Sequence, residues 1–542
     1  MPSLYLHRFR PSVNPEAIFL FLIFFLVYVG LAWIACGGDR WWVIDFVDNQ
    51  NIFHGDDAYR FFLSRSAWIT PDLYTYNFVL PGQLLLDGAI TSLVKGDLFL
   101  SRCFHAIFGA GGVFFIYLSG IELKVPRSIM LFAALVMGFL PRYALMSLSF
   151  YGEAWLGFFI CFSLWLYLKK HFMVMALVAS WMPLLRPEGI FFLAPLCLQM
   201  LLQKRFREVL LLLLPGSLYF LYLYTSLQSL SDYTYWRIEL RQILGKVARD
   251  TSVGDPLNFY SFFLTGPAFL GLFLKPARKM WPLVLGAALW VAWLQVSILH
   301  GLAAFENRYF YILVPLVAIL WAIFFSFLQE CLSCFFCVEE RKNIITLSVA
   351  ALALSVILKH VIKTDNFDQE IRKSGYLGLL EKISQGHWGK LYGYYPGEAL
   401  EGRREIARIA EELLRRDKGI DKFAISTAVM FYEVDPKKIP KDVTVGFLTN
   451  SYIEFYKLLD GQTFIQHPGG SMYTYLNYGE PDFRPTEKRA LVISPMPLSD
   501  YPYTWIRGAN QLYIFSYLES WSPQTNLDEK PSLIPKKGEN VD

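Results

Sequence analysis

Two adjacent carboxylates, Asp56 and Asp57, follow the first long apolar run, within the sequence His54-Gly55-Asp56-Asp57-Ala58-Tyr59-Arg60. Like charges side by side near a membrane surface are unfavourable unless a cation, a proton or a substrate hydroxyl compensates them. A carboxylate in such a setting is suited to act as a general base toward an acceptor hydroxyl. We predict that Asp56 and Asp57 are catalytic and that His54 and Arg60 contact the substrate. The alternative is an ordinary acidic surface turn.

A second polar group, Arg186-Pro187-Glu188-Gly189, interrupts an apolar stretch at residues 172–203. Charges at such a break usually line a polar cavity, because exposing them to lipid costs at least a few kcal/mol each. Arg186 and Glu188 are therefore candidate substrate-binding residues. The alternative is an internal Arg186–Glu188 pair that holds the kink together.

The third group is Phe305-Glu306-Asn307-Arg308-Tyr309-Phe310, at the start of an apolar run. An arginine near a helix N-terminus can bind a phosphate through two parallel hydrogen bonds. Glu306, Arg308 and Tyr309 are predicted to bind substrate. The alternative is a basic side chain that reaches the lipid interface beside a tyrosine anchor.

The elements that must position these residues are predicted to be membrane-spanning helices, because 54% of the 542 residues are apolar and 17% are aromatic. A span needs about 20 apolar residues. Apolar runs lie at 17–35, 104–122, 129–149, 154–168, 172–203, 209–226, 257–275, 281–299, 309–328 and 344–358. Counting 172–203 as two short helices predicts a mostly α polytopic protein with about eleven spans.

Loop charges predict the orientation of the chain. With a cytoplasmic N-terminus, alternate loops carry clusters such as Lys169-Lys170, whereas the opposite short turns carry mainly single arginines. Excess Lys and Arg mark the cytoplasmic side. This topology places seven charged candidates at the non-cytoplasmic face: Asp56, Asp57, Glu153, Arg186, Glu188, Glu306 and Arg308. A net charge of only +4 gives no indication of a nucleic-acid partner,.

Composition divides the chain into two predicted domains. Residues 1–360 form a transmembrane module with outer loops at 36–100 and 227–256, which we expect to contain helices lying in the membrane interface. Residues 361–542 form an extracytoplasmic α/β domain, with a helix at Glu401–Arg416 and strands at Lys422–Tyr432, Val443–Leu448 and Arg489–Ile493. Its tyrosines and tryptophans are candidates for stacking on sugar rings, although core packing is their commoner role.

The order of H-x-D-D, L-x-R-P and a later E-x-R-[FY] resembles the GT-C superfamily of polyprenyl- or dolichyl-phosphate-sugar transferases. The resemblance implies a lipid-phosphate-linked sugar donor, a catalytic base at Asp56 or Asp57, and lipid-phosphate binding by Arg186 and Arg308. The acceptor is then a glycan, a lipid or a protein. The mannosyltransferase pattern usually has Glu at position 57, Ser or Thr at 188 and a basic residue at 305. These departures favour a distant bacterial member in the inner membrane with a periplasmic site, the alternative being a lumenal site in the endoplasmic reticulum.

Two other functions remain open at this point. One is a transporter or flippase for lipid-linked or anionic substrates, although such folds usually show repeated halves and charges near the middle of the bilayer. The other is a glycan ligase or polymerase that uses a diphosphate-linked donor. No cofactor is predicted with the exception of Mg²⁺ or Mn²⁺ between Asp56 and Asp57, since paired carboxylates suit these ions. Gly109-Ala110-Gly111-Gly112 is predicted to serve helix packing and not phosphate binding,.

Overall fold

The structure is a computed structural model that describes residues 14–37, 56–68, 79–226, 262–299, 311–336, 397–425, 430–440, 443–447, 473–474, 489–494, 503–509 and 512–517. The predicted span at 344–358 and the predicted outer loop at 227–256 lie outside these ranges. The long N-terminal part of the described chain is helical. Its helices are α1 Pro15–Gly37, α2 Asp56–Ser66, α3 Pro81–Leu93, α4 Leu98–Glu122, α5 Arg127–Phe139, α6 Pro141–Met146, α7 Gly152–Leu168, α8 Phe172–Ala179, α9 Met182–Leu185, α10 Gly189–Leu202, α11 Phe206–Ser226, α12 Phe262–Leu272, α13 Trp281–Leu299 and α14 Val314–Phe336.

Five segments of these helices are long and apolar enough to cross a membrane: Pro15–Trp33, Leu98–Glu122, Phe206–Thr225, Ala277–Ser297 and Tyr311–Cys331. Shorter apolar helices cover Arg127–Phe139, Gly152–Leu168, Phe172–Leu185 and Gly189–Leu202. The chain is therefore a mostly α integral membrane protein. The count of about eleven spans stays a prediction.

Prolines determine where two of the predicted spans are interrupted. The expected break at Arg186-Pro187 is confirmed, since α9 ends at Leu185 and α10 begins at Gly189. Arg186 is extended, with φ −153° and ψ 144°, as is usual for the residue before a proline,. The prediction of one continuous span over 129–149 is wrong, because α5 ends at Phe139 and Pro141, which has no backbone N–H, starts a separate helix,.

The loop predicted at 36–100 contains structure that packs inside the protein. Every residue of α2 from Asp57 to Ser64 is buried. The first half of α3 is also largely buried, including Gln83, Leu84 and Asp87. These helices therefore contribute interior side chains and are not simple surface helices.

Small residues allow the helices around α4 to approach closely. A Cβ built on Gly109 would lie 2.5 Å from the Cβ of Ser147, and one built on Gly111 would lie 3.0 Å from the ring of Phe158. Larger side chains at these positions would force the helices apart. The glycine run 109–112 thus serves helix packing, as predicted.

A segment from far along the chain packs on α2. This segment comprises the short helix α16, Met430–Glu433, and the 3₁₀ turn Pro436–Lys438. Arg65 of α2 donates from Nη2 to the carbonyl oxygen of Val434 at 2.5 Å. Residues 428–438 belong to the same compact unit as residues 1–404. The prediction of a strand over Lys422–Tyr432 is confirmed as far as Ile425 and is wrong at residues 430–432, which are helical.

The second compact unit comprises residues 405–427, 439–465 and 472–542. Its described strands are β1 Ile420–Ile425, β2 Thr444–Phe447, β3 Tyr473–Thr474, β4 Arg489–Ser494, β5 Tyr503–Ala509 and β6 Leu512–Tyr517, in the sheet order β3-β2-β1-β4-β6-β5. The first four pair in parallel, and β6 is antiparallel to β4 and β5. Central parallel strands are usually covered on both faces, and Leu491, Val492 and Ile493 of β4 are all buried.

Helix α15, Gly397–Arg416, precedes this sheet and is amphipathic. Its apolar residues Ile406, Ala407, Ala410 and Leu414 are buried, and Ala410 lies four positions after Ile406, three after Ala407 and four before Leu414. The spacing places them on one face of the helix. The helix predicted at 401–416 is confirmed, and the division of the whole chain at residue 360 stays a prediction.

Candidate active site

Asp57 lies in the first turn of α2 and is fully buried. Its Oδ2 is 2.8 Å from Nη2 of Arg102, and its Oδ1 accepts a hydrogen bond from the backbone N–H of Phe150 at 2.6 Å. Both carboxylate oxygens therefore accept hydrogen bonds from the protein. Asp57 joins α2 to α4 and to the segment between α6 and α7.

Arg102 completes this pair from α4. Its Nη1 donates to the carbonyl oxygen of Leu148 at 3.0 Å, and only 1% of the residue is exposed. Removing one member of such a buried pair typically costs about 3–5 kcal/mol, since the other charge is left without its partner. Asp57 and Arg102 thus fix the path of the chain from Leu148 to Phe150.

Residues 147–153, Ser-Leu-Ser-Phe-Tyr-Gly-Glu, form the centre of the polar site, and we call them the 147–153 segment. The ring of Phe150 lies 4.9 Å from that of Phe61 and 4.8 Å from that of His105, centroid to centroid. The backbone of Phe150 donates to Asp57 and accepts from Gln83. Side chains and backbone together hold this segment against α2, α3 and α4.

Gln83 of α3 connects three elements through its amide. Its Nε2 donates to the carbonyl oxygen of Phe150 and to Oδ2 of Asp87, the latter at 3.2 Å. Its Oε1 accepts from Nη1 of Arg60 at 3.0 Å. The guanidinium of Arg60 also lies 5.4 Å from the ring centroid of Tyr151. Arg60, a predicted substrate ligand, is thus part of the same network.

Asp87 extends the network toward α4 and α7. Its Oδ1 accepts from the indole N–H of Trp155 at 2.6 Å and lies 3.1 Å from Nε2 of His105. All three residues are at most 2% exposed. A buried carboxylate needs such partners, because an isolated one would carry a large desolvation cost.

Arg186 lies between two carboxylates. Its Nη1 is 2.6 Å from Oε1 of Glu153, and its Nε and Nη2 donate to the two oxygens of Glu188 at 2.9 and 3.0 Å. The internal Arg186–Glu188 pair considered from the sequence is therefore present, and Glu153 joins it. This contact brings the α9–α10 break to the 147–153 segment.

The third motif, with Glu306, Arg308 and Tyr309, lies outside the described residues. The next residue, Tyr311, is described, and it contacts the 147–153 segment. Tyr311 Oη lies 2.9 Å from Oγ of Ser147, and its ring stacks on Tyr143 at 5.0 Å. The residue immediately after the third motif therefore contacts the 147–153 segment.

Five of the predicted site residues are described with their side chains and belong to this network: Asp57, Arg60, Glu153, Arg186 and Glu188. Asp56 starts α2, but its side chain lies outside the described part of the chain, as does His54. Residues 56 and 60 are four positions apart on α2 and share one helix face.

Four participants were not predicted from the sequence: Gln83, Asp87, Arg102 and His105. Arg102 and His105 are ionisable residues three positions apart at the start of an apolar helix, so they share one face. Intramembrane ionisable residues are a usual sign of function, and that signal could have identified them. Gln83 and Asp87 were missed because their helix lies in a segment taken as a loop.

The described charges of the site do not favour an anion by themselves. Leaving His105 aside, the described network contains three guanidinium groups, of Arg60, Arg102 and Arg186, and four carboxyl groups, of Asp57, Asp87, Glu153 and Glu188. A phosphate at this site needs a further cation.

Within the described ranges, no group of three or more His, Cys, Asp or Glu residues is arranged to hold a metal ion. Both oxygens of Asp57 already accept hydrogen bonds from Arg102 and Phe150. The Mg²⁺ or Mn²⁺ ion predicted between Asp56 and Asp57 stays a prediction.

Comparison with solved structures finds the crystal structure of ArnT from Cupriavidus metallidurans bound to undecaprenyl phosphate, with a TM-score of 0.48 and 12% sequence identity over 92% of this chain and 98% of that chain. The apo state of the same protein gives a TM-score of 0.45 and 12% identity, over 93% and 99% of the two chains. No protein-family model and no curated protein matches the sequence. The residues of the site, and not this similarity, carry the functional proposal.

Proposed function

We propose that the protein is a GT-C-type membrane glycosyltransferase that transfers a sugar from a polyprenyl-phosphate donor to an acceptor hydroxyl at the non-cytoplasmic face. The observation that supports the proposal is the meeting of distant motifs on the 147–153 segment. Asp57 binds the N–H of Phe150, Arg186 binds Glu153, and Tyr311, just after the third motif, contacts Ser147. Charged groups gathered inside an apolar helical protein are a usual sign of a functional site.

Asp56 is the better candidate for the base. The carboxylate of Asp57 is buried and held by Arg102 and by the N–H of Phe150, which suits a positioning role. In the proposed step the acceptor oxygen forms a bond to the anomeric carbon while the bond from that carbon to the phosphate oxygen breaks. The hydroxyl proton passes to Asp56, and the leaving group departs as polyprenyl phosphate with inversion.

The leaving phosphate gains charge during this step and needs a cation. Arg186 is already shared between two carboxylates, Glu153 and Glu188. We therefore assign the phosphate chiefly to Arg308 and regard Arg186 as the residue that holds the two acids in place. The proposed acceptors are a glycan, a lipid or a protein, and the proposed location is a bacterial inner membrane with the site facing the periplasm.

The test is a transfer assay with the purified full-length protein in lipid nanodiscs, supplied with labelled polyprenyl-monophosphate sugars and a mixed pool of periplasmic acceptors. We expect transfer from the monophosphate donor. Asp56→Asn should lower turnover by at least ~100-fold, as expected for loss of a general base. Asp97→Asn is the matched control, because Asp97 is an exposed cap of α4, where its Oδ1 accepts from the N–H of Leu100 at 2.7 Å.

Three results would contradict the proposal. Transfer only from a polyprenyl-diphosphate sugar would indicate a ligase or polymerase. Movement of substrate across a vesicle membrane without transfer would indicate a transporter. Full activity of Asp56→Asn would remove the proposed base.

A further inference from the structure

The amide of Gln83 has a single orientation that satisfies its surroundings. Its N–H₂ group faces two acceptors, the carbonyl oxygen of Phe150 and the carboxylate of Asp87, and its oxygen faces the guanidinium of Arg60. A flipped amide would place oxygen against both acceptors and N–H₂ against a cation that only donates. Asp87 therefore selects the orientation in which Gln83 accepts from Arg60.

Asp87 is itself held in place from two other helices. Trp155 of α7 donates to its Oδ1, and His105 of α4 lies within 3.1 Å of the same oxygen. Gln83 and Asp87 are four positions apart on α3, so a rigid helical turn separates them. Asp87, which accepts a hydrogen bond from the amide of Gln83, is thus itself fixed in position.

Two parts of the proposed reaction centre depend on this amide. Arg60 lies one helical turn after Asp56 on α2, and Gln83 holds its Nη1 at 3.0 Å,. The peptide of Phe150, whose oxygen accepts from Gln83, donates its N–H to Asp57. Gln83 is buried, with 1% of its surface exposed, so water does not readily replace these bonds.

We propose that Gln83 is a positioning residue for sugar transfer, which rests on the function proposed above. It orients the guanidinium of Arg60, which lies one helical turn after Asp56 in the sequence of α2, and the peptide that donates to Asp57. It acts through Arg60 and Phe150. Losing hydrogen bonds to a charged partner should reduce kcat roughly 10- to 100-fold, with KM for the donor within about twofold, since binding of the lipid tail does not involve the amide.

The first experiment compares Gln83→Met, which keeps the length of the side chain and removes its hydrogen bonds, with Gln199→Met. Gln199 is a matched control in α10, where its Oε1 accepts from the indole N–H of Trp281 at 3.1 Å. We expect the kcat loss in Gln83→Met only. An unchanged kcat in folded Gln83→Met would overturn the proposal.

A double-variant cycle with Arg60→Met separates positioning from a general structural effect. If Gln83 acts through Arg60, the double variant should lose little more activity than Arg60→Met alone. Losses that multiply would show that Gln83 does not act through Arg60, and would overturn the positioning of Arg60 by Gln83.

A final measurement does not depend on activity. Modification of Arg60 by phenylglyoxal, followed by peptide mass spectrometry, should be slow in the wild-type protein and several-fold faster in Gln83→Met, and unchanged in Gln199→Met. Equal rates in all three proteins would refute the positioning of Arg60. Faster modification in a protein that transfers no sugar would leave the positioning intact and reject the proposed function alone.

Discussion

We infer different tasks for the two neighbouring aspartates. Asp57 is paired with Arg102 inside the protein, whereas Asp56 occupies the first position of α2. Negative groups are favourable at a helix N-terminus, which suits an acidic residue at the first position of α2. The adjacent carboxylates in the sequence did not distinguish the base from the residue that positions it.

A pair of charge-neutral variants tests this division. Asp57→Asn leaves Arg102 buried without its counter-charge, and we expect a loss of about 3–5 kcal/mol in the free energy of unfolding and little folded protein. Adding Arg102→Gln removes the unmatched charge, so the double variant should recover folded protein and at least a tenth of wild-type turnover. Folded yield by size-exclusion chromatography and initial rates measure both effects. A folded double variant with no turnover would make Asp57 the base.

At the residue scale, the sequence revealed some of the charges and not the neutral group that connects them. Asp57, Glu153, Arg186 and Glu188 were identified because charges are rare in apolar stretches. Gln83 carries no charge, and its importance arises from bonds to Arg60, Phe150 and Asp87 that join distant parts of the chain. No local pattern encodes such a convergence.

At the element scale, a single glycine allows the start of α7 to lie close to the end of α9 and to α3. A Cβ on Gly152 would lie 2.8 Å from Cγ of Arg186, 2.9 Å from the carbonyl oxygen of Leu185 and 3.0 Å from Oε1 of Gln83. Real Cβ atoms do not pack this closely, so the neighbours would have to shift. Gly152 therefore allows Glu153 to reach Arg186.

We expect Gly152→Ala to destabilise the protein by about 1–3 kcal/mol and to lower turnover, because it displaces both Arg186 and Gln83. Gly216→Ala is the matched control, since nothing lies within 4 Å of a Cβ built on Gly216 of α11. Alanine is favoured over glycine in a helix by roughly 0.5–1 kcal/mol, so the control should be neutral or stabilising. Thermal unfolding followed by native-tryptophan fluorescence gives the comparison. Equal unfolding temperatures would show that the close approach is not required.

The breaks between elements were predictable only where proline determines them. Pro187 allowed the α9–α10 break to be predicted, whereas the same effect of Pro141 was overlooked within the long apolar run,. The helix at 430–433 was missed because its apolar and aromatic residues also suit a strand. Its packing on α2 overrides that local preference.

At the scale of the whole molecule, membrane orientation follows from the charges flanking the spans. Helix α4 has 25 residues, which corresponds to about 37 Å, enough to cross the hydrocarbon layer. Asp97 and Lys124 lie at its two ends, and both are exposed. The positive-inside rule therefore predicts that Lys124 lies in the cytoplasm and Asp97 outside.

Labelling with a membrane-impermeant maleimide checks this orientation. In intact cells, Asp97→Cys should be labelled directly, and Lys124→Cys only after permeabilisation. Peptide mapping distinguishes the introduced thiols from native cysteines. The reverse pattern would place the candidate site on the cytoplasmic side.

The hydrogen bond from Arg65 to Val434 joins residues 369 positions apart. During synthesis, α2 emerges early, but its partner leaves the ribosome only after most of the polypeptide has been made and its earlier helices have entered the bilayer. The contacts of α2, the helix that carries the two aspartates, are therefore complete only after this late segment has been synthesised. Translation products that stop before Val434 would lack the contact.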